Sequence, residues 1–256
     1  FNNDFDMSFK GTFTYAHNKV LEYDEPDFQK YPNISRVGHS VDQQLLYIAE
    51  RLFIDDSEVQ RNPKQNLGGW VSGGDIKYKN LPDVNGNYDN VIDSNDRQYT
   101  GMPTTPEIVY GFGPSFRYKK FDFSFFFQGA ARVSIMMNGI HPFGAEGTRN
   151  VLQFIADDYW SETNQNIYAE YPRLSKRDNE NNTKASTYWQ RNGAFLKLKN
   201  LEVGFNHKFF RVYLRGSNLL TFSPFKYWDP EMGSGSGLSY PTQRVFNVGV
   251  QFSINK

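Results

Sequence analysis

Apolar and polar residues alternate with period two along several stretches of the chain, the pattern of β-strands with one face in an apolar medium and one in a polar one. Phe5, Met7, Phe9, Phe13 and Tyr15 fall on one side, with Ser8, Lys10, Thr12 and Thr14 on the other. Tyr110, Phe112, Phe116 and Tyr118 oppose Gly111, Gly113, Ser115 and Arg117. Phe121, Phe123, Phe125 and Phe127 oppose Asp122, Ser124 and Gln128. Phe210, Val212 and Leu214 oppose Arg211, Tyr213 and Arg215, and Phe246, Val248, Val250, Phe252 and Ile254 oppose Asn247, Gly249, Gln251 and Ser253. Between 194 and 206 the alternation of Leu201, Val203 and Phe205 is out of phase with Leu196 and Leu198, so a β-bulge near Lys199 or Asn200 is expected. The pattern predicts six strands, at about 5–20, 107–118, 121–133, 194–206, 209–222 and 242–254.

A soluble antiparallel sandwich would produce the same alternation. Three features favour a membrane barrel instead. The turns at Arg117–Phe121 and Asn206–Phe210 are very short, whereas the stretches 21–106, 134–192 and 222–241 are long. Short turns at one end and long loops at the other are the asymmetry of outer-membrane barrels. Most of the strands have ten residues or more, enough to cross a bilayer when tilted, where soluble strands run to about 5–6. Finally, Phe and Tyr dominate one face, while Lys10, Asp122, Glu202, Arg211 and Arg215 sit on the other beside small residues. A lipid-facing exterior and a watered lumen call for that division. With the short turns periplasmic, the C-terminus is periplasmic and the long loops are extracellular.

Six strands are fewer than the roughly eight of the smallest single-chain barrels, and an open sheet in hydrocarbon would leave edge groups unpaired. The chain is therefore expected to be one piece of a longer polypeptide, or several copies share a barrel. The opening residues, "FNNDFDMSFKGTF", have neither the charged start nor the continuous apolar core of a signal peptide, which favours the piece.

Composition narrows the functions. The chain of 256 residues has 28 Lys and Arg against 28 Asp and Glu, so no net field points to nucleic acid. Without cysteine there is no disulfide, thiolate metal site or thiol nucleophile. The 23 Phe and 16 Tyr suit a lipid-facing surface, and no apolar run approaches the ~18 residues of a spanning helix. His17, His39, His141 and His207 have no metal-ligand spacing and suggest no acid–base relay, so catalysis has no visible centre.

One loop has chemistry of its own. In "DVNGNYDNVIDSND", counted from Asn85, oxygen side chains fall at positions 1, 3, 5, 9 and 12, namely Asn85, Asn87, Asp89, Asp93 and Asp96, with Ile92 at position 8. This is close to an EF-hand calcium loop, but with strand-like rather than helical flanks. Asn90 stands where glycine makes the sharp turn, and Asn tolerates that conformation. Asn85 and Asp96 replace the usual Asp and bidentate Glu and weaken the site, for which ~10⁻⁴–10⁻³ M is the expected calcium range. A metal-free Asx-turn loop is the alternative.

All four tryptophans, Trp70, Trp160, Trp189 and Trp228, fall in the long loops. They either stack on cargo in the mouth or pack the loops together; Tyr188 and Trp189, just before a strand enters the barrel, are the candidates for a substrate-binding lumen position. The Gly233–Gly237 run reads as a mobile loop rather than a phosphate cradle, since no helix follows it. "DDSEVQRN" and "TRNVLQFIADDYW" read as short helices within the loops.

In order along the chain, "HNKVLEYDEP", "RVGHSV", "GDIKYKNLPDVNGNYDNVIDSNDRQYTG", "PEIVYGFG", "FDFSFFFQGAA", "YWQRNGAFLKLKNLEVGF", "RVYLRGSNLLTFSPFKYWDPE" and "SYPTQRVFNVGVQFSI" resemble the C-terminal part of SusC/RagA-type TonB-dependent outer-membrane transporters of Bacteroidetes. The resemblance spans essentially all of residues 1–256. It implies that the six strands close a 22-stranded barrel, filled by an N-terminal plug that this chain lacks. It further implies a SusD-like lipoprotein as a lid over the mouth, energy from TonB, and an oligosaccharide or oligopeptide cargo that is moved without chemistry. Two features depart from the family: the chain runs past Phe252 to Ile254-Asn255-Lys256 instead of ending on an aromatic residue, and the calcium-like loop is two residues longer than "DxNGDGxIDxxD". The competing function classes are a soluble, calcium-stabilised β-sandwich that binds glycans, and a barrel enzyme such as a phospholipase or protease.

Overall fold

The computed structural model describes residues 4–142, 150–177 and 179–253. Six long strands form one antiparallel sheet: β1 (Phe5–Tyr15), β2 (Ile108–Tyr118), β3 (Phe121–Ala131), β4 (Phe195–Asn206), β5 (Phe210–Phe222) and β6 (Val245–Phe252). Their spatial order follows the chain, each strand beside the next. β1 ends at Tyr15 rather than near residue 20. Beyond it the backbone is held elsewhere: Asn18 Oδ1 accepts the N–H of Val41 at 2.8 Å, and Val20 donates to the carbonyl of His39 at 2.8 Å. Ile254 lies outside the described residues.

The register carries the alternation across the whole sheet. Met7, Phe116, Phe123, Val203, Leu214 and Val248 pair in one continuous row, each with the next. The adjacent row is Ser8, Ser115, Ser124, Glu202, Arg215 and Asn247. Since successive side chains point to opposite sides, one face is apolar from edge to edge and the other is polar. Cross-strand ring contacts reinforce the apolar side, as at Phe116 and Phe123 (centroids 6.3 Å apart) and Phe112 and Phe127 (5.6 Å). The bulge expected near Lys199 is present: β4 shifts register between Leu198 and Asn200 against both neighbours. It brings Leu196 and Leu198 onto the same side as Leu201, which is why the strand looks out of phase as a string.

Among the described residues, most of the apolar face is left uncovered. Phe252 is 76 % exposed, and Phe9, Phe13, Phe121, Leu214, Phe246 and Val248 are exposed with it. The apolar core lies elsewhere. Leu46, Leu52, Ile76, Tyr78 and Ile92 from the first long excursion meet Ile135, Ile155, Trp160, Tyr171 and Trp189 from the second and Phe225 from the third. None of the residues of this cluster belongs to β1–β6. The three excursions thus form a small packed cap at one end of the sheet. Its framework is short pairings: Gln43–Tyr47 with Arg97–Pro103, Ala49–Leu52 with Ile76–Tyr78, Lys64–Gln65 in parallel with Val91–Ile92, and Ser134–Met136 with Gln190–Asn192. The helices expected from the sequence are one or two turns, Asp56–Arg61 and Gln153–Asp157, the first capped by Asp55. The Gly233–Gly237 run is tied down rather than loose. Gly235 donates to Met136 O at 2.9 Å and accepts from Asn138 N at 3.0 Å, so it pairs beside the second excursion.

Candidate functional site

The calcium-like loop is a chain of side-chain-to-backbone hydrogen bonds. Asp83 accepts the N–H groups of Asn85 and Asn87, both at 2.9 Å, across a turn in which Gly86 has φ +82°. Asp89 accepts from Val91 N at 3.0 Å, and Asn90 takes the left-handed conformation (φ +58°). Asp93 caps the 3₁₀ turn Ser94–Asp96, and Asp96 returns the bond, accepting from Asp93 N at 2.8 Å and from Leu81 N at 2.6 Å. Burial pushes the Asp96 carboxyl above its ordinary value, against those two bonds. Asn85, Asn87 and Asp89 lie exposed on the outer turn, while Asp93 and Asp96 sit on the inner one. Among the described residues, no three His, Asp or Glu side chains gather in a metal-binding arrangement.

Trp189 is 2 % exposed. Its indole N–H donates to Asn182 O at 2.8 Å, and its ring meets His141 (5.1 Å) and Tyr188 (4.7 Å) edge to face. Tyr188 donates its hydroxyl to Ala169 O at 2.7 Å, and burial pushes its phenol upward. Tyr188 also lines an open cleft of about 280 Å³ with Glu50, Tyr168, Glu170 and Arg191. The two neighbours therefore divide: Tyr188 reaches a cleft wall, and Trp189 stands behind it in the core of the cap.

The polar centre of the cap has no counterpart among the candidates drawn from the sequence. Asp75 is fully buried and accepts from Arg173 Nη2 (3.0 Å), Asn179 (2.9 Å), Asn182 (2.8 Å) and Ser72 N (2.8 Å). Burial raises its carboxyl despite the Arg173 charge beside it. These bonds fasten the second excursion to the first. Nothing in the string signals that residues about a hundred positions apart converge there.

On the polar face of the sheet, several charges are paired. Arg211 bridges Asp122 (2.5 Å) and Glu202 (2.7 Å), crossing over Gly204, where a Cβ would collide with both the carboxylate and the guanidinium. Nearer the cap, Lys197 is 1 % exposed with Nζ 2.5 Å from both Asp229 and Glu231; Lys199, at the bulge, is 2.7 Å from Glu231. The third excursion is thereby pinned to the polar face of β4.

No protein-family model matches the chain. It is 27 % identical to TonB-dependent receptor P3 of Formosa agariphila, over 97 % of this chain and 27 % of that protein. It is 28 % identical to TonB-dependent receptor P26 of the same organism, over 91 % of this chain and 26 % of that protein. The chain resembles a segment of a SusC/RagA-like, TonB-dependent transporter. It spans about a quarter of the length of the curated relatives it matches. Its fold is that of the RagAB peptide importer in the open-open state (TM-score 0.65, 18 % identity, 99 % of this chain and 27 % of that one). The closed-closed state of RagAB gives the same TM-score at 19 % identity, over 98 % of this chain and 28 % of that one. In this SusC/RagA-like segment the sheet remains open: among the described residues β1 and β6 each pair on one side only.

Proposed function

We propose that β1–β6 are the closing strands of a 22-stranded transmembrane barrel in the bacterial outer membrane, belonging to a TonB-dependent importer. The observation that carries this is the uninterrupted apolar face from β1 to β6, with the charges confined to the opposite face. Hydrocarbon satisfies no backbone group, so the outer edges of β1 and β6 must pair with further strands. Those strands, and the plug that fills the lumen, belong to the rest of the transporter; TonB acts through that part. The cap of long excursions is extracellular, the short turns and C-terminus are periplasmic, and a SusD-like lipoprotein covers the mouth. The cargo is an oligosaccharide or an oligopeptide, moved without covalent change. The name of the RagAB peptide importer supports the transport class and the peptide alternative.

A soluble calcium-stabilised β-sandwich would need a second layer over the apolar face, and its aromatic residues are instead exposed. For the Asp83–Asp96 loop, the side-chain-to-backbone hydrogen bonds favour a clip made of Asx turns. A calcium ion held by Asn85, Asn87, Asp89, Asp93 and Asp96 is a second reading, carried by their oxygen spacing. Transport is tested by deleting the gene for the full transporter, and separately that for TonB, and following uptake of labelled glycans and peptides. Equal loss of the same cargo in both strains supports the proposal. A full-length protein that fractionates as soluble without detergent would refute it.

A further inference from the structure

The charges in the two short turns differ from those on the polar face beside them. Arg117 is paired with Asp6, and Arg211 with Asp122 and Glu202. Lys119 and Lys120 in the β2–β3 turn and Lys208 in the β4–β5 turn are exposed, and among the described residues none of them is paired with a carboxylate. Asp4 meets the first turn through its backbone, accepting the N–H of Lys119 at 2.7 Å. The two turns lie side by side, since Asn206 N donates to Lys120 O at 2.6 Å. Together they present one cationic edge. We infer that this edge is a docking surface for the headgroups of anionic phospholipids in the periplasmic leaflet of the outer membrane. The inference rests on the membrane-barrel reading, with the short turns periplasmic.

The backbone of the first turn points the same way. Tyr118 pairs with Phe121, so Lys119 and Lys120 are the whole loop of a two-residue hairpin. Lys119 has φ +53°, and the residue favoured for that conformation at the first position of such a loop is Gly. A lysine there is held against its steric preference, as residues at functional positions often are. The rings beside the lysines add a second requirement. Lys119 Nζ lies 5.4 Å from the Tyr118 ring centroid, and Lys208 Nζ 5.3 Å from that of Phe209. Tyr118, Phe121 and Phe209 are each more than half exposed. Phe121 continues into the apolar face through Phe205, with centroids 5.3 Å apart. The lysines therefore stand where the apolar wall ends, the depth at which cations and aromatic rings meet headgroups.

This combination selects the ligand. A soluble anion would engage the lysines and leave the rings in water. A zwitterionic headgroup brings its own cation to lysines that have no carboxylate to share. An anionic phospholipid gives its phosphate to the lysines while its glycerol and acyl chains cover the rings. Attraction of roughly fivefold per lysine is ordinary for cations at an anionic bilayer surface, and salt screens it.

The test uses the full-length transporter reconstituted in mixed phosphatidylcholine–phosphatidylglycerol bilayers. A bimane fluorophore is placed on a single cysteine at Phe205, between the two turns, or at Phe13, at the other end of the same face. Bromine is carried on the acyl chains of one lipid or the other, so quenching reads which lipid touches the label. At Phe205 the brominated phosphatidylglycerol is expected to be preferred by roughly threefold or more at low salt, with a smaller preference at Phe13. The preference at Phe205 should fall towards one in K119Q/K120Q/K208Q, and likewise at high salt in the wild type. The inference is overturned if the two lipids quench Phe205 equally, if Phe13 shows the same preference, or if the triple variant keeps it. Equal quenching by both lipids removes the headgroup surface and leaves the lipid-facing wall standing. Quenching by neither lipid at either label sinks the wall, and this surface with it.

Discussion

Replacing Lys197 by Met should free the third excursion from the sheet. The Lys197 ammonium is 1 % exposed and touches two carboxylates at 2.5 Å, those of Asp229 and Glu231. Burial alone would raise Asp229, yet its carboxyl is held below the usual range by Lys197 and Thr242. Met fills the volume without the charge and leaves two carboxylates facing Lys199 alone, one negative charge in excess. Breaking a buried pair costs about 3–5 kcal/mol. Here Lys199 stays 2.7 Å from Glu231 and both carboxylates are nearly a fifth exposed, so the low end applies, about 3 kcal/mol. At about 1.4 kcal/mol per decade, local opening should become roughly a hundredfold more frequent. Hydrogen exchange on the purified transporter reads this at Met232 and Gly233, whose N–H groups bond Asp229 O (2.9 Å) and Pro230 O (3.1 Å). The double variant K197M/D229N should recover most of the protection, because the remaining Glu231 carboxylate keeps Lys199 as its partner and no charge is then in excess. Wild-type exchange rates in K197M would refute the reasoning.

Three further outcomes follow from the cap. W189A should destabilise it by about 3–5 kcal/mol, as large-to-small changes in a core do; a loss under about 1 kcal/mol in thermal unfolding would mean that the indole is not packed as described. Burial alone would raise Glu58, but Arg51 (2.5 Å), Ile54 N (2.8 Å) and Lys77 (3.2 Å) bring its carboxyl from 4.5 to about 2. A depressed acid stabilises the fold fully above its unfolded value and loses that contribution as pH falls to the folded one. Tryptophan fluorescence should therefore show an acid loss between about 4.5 and 2 that E58Q lacks, and identical profiles would contradict the assignment. D96A strands the N–H groups of Leu81 and Asp93, at about 1–3 kcal/mol for such donors, and should expose the 83–96 loop to protease. EDTA should leave wild-type resistance unchanged; sensitivity to chelation would favour the calcium reading instead.

The six strands are legible in the sequence because the apolar–polar alternation is long and unmixed: Phe121 to Phe127 needs no knowledge of partners. The bulge is legible for the same reason, since Leu196 and Leu198 break phase with Leu201. The cap is not, because its pairings are two to seven residues long and its core is assembled from three distant stretches. Trp189 illustrates the limit. Its place before β4 is visible in the string, but its burial depends on His141, Tyr171 and Asn182, which only the fold brings near. The spacing of oxygens in Asn85–Asp96 likewise cannot tell a ligand from an Asx turn. Lys197 looks like any lysine on the polar face of a strand until Asp229 and Glu231 fold back onto it.

The most direct test of the apolar face is its contact with lipid. Single cysteines carrying spin labels at Phe123, Val203 and Val248, and at Ser124, Glu202 and Asn247 in the adjacent row, would be read in bilayers by oxygen against water-soluble nickel accessibility. Labels at the first three positions are predicted to relax with oxygen and to ignore nickel, and labels at the second three are predicted not to show that signature. Nickel access at Phe123, Val203 and Val248, or no alternation between the rows, would contradict a lipid-facing barrel wall.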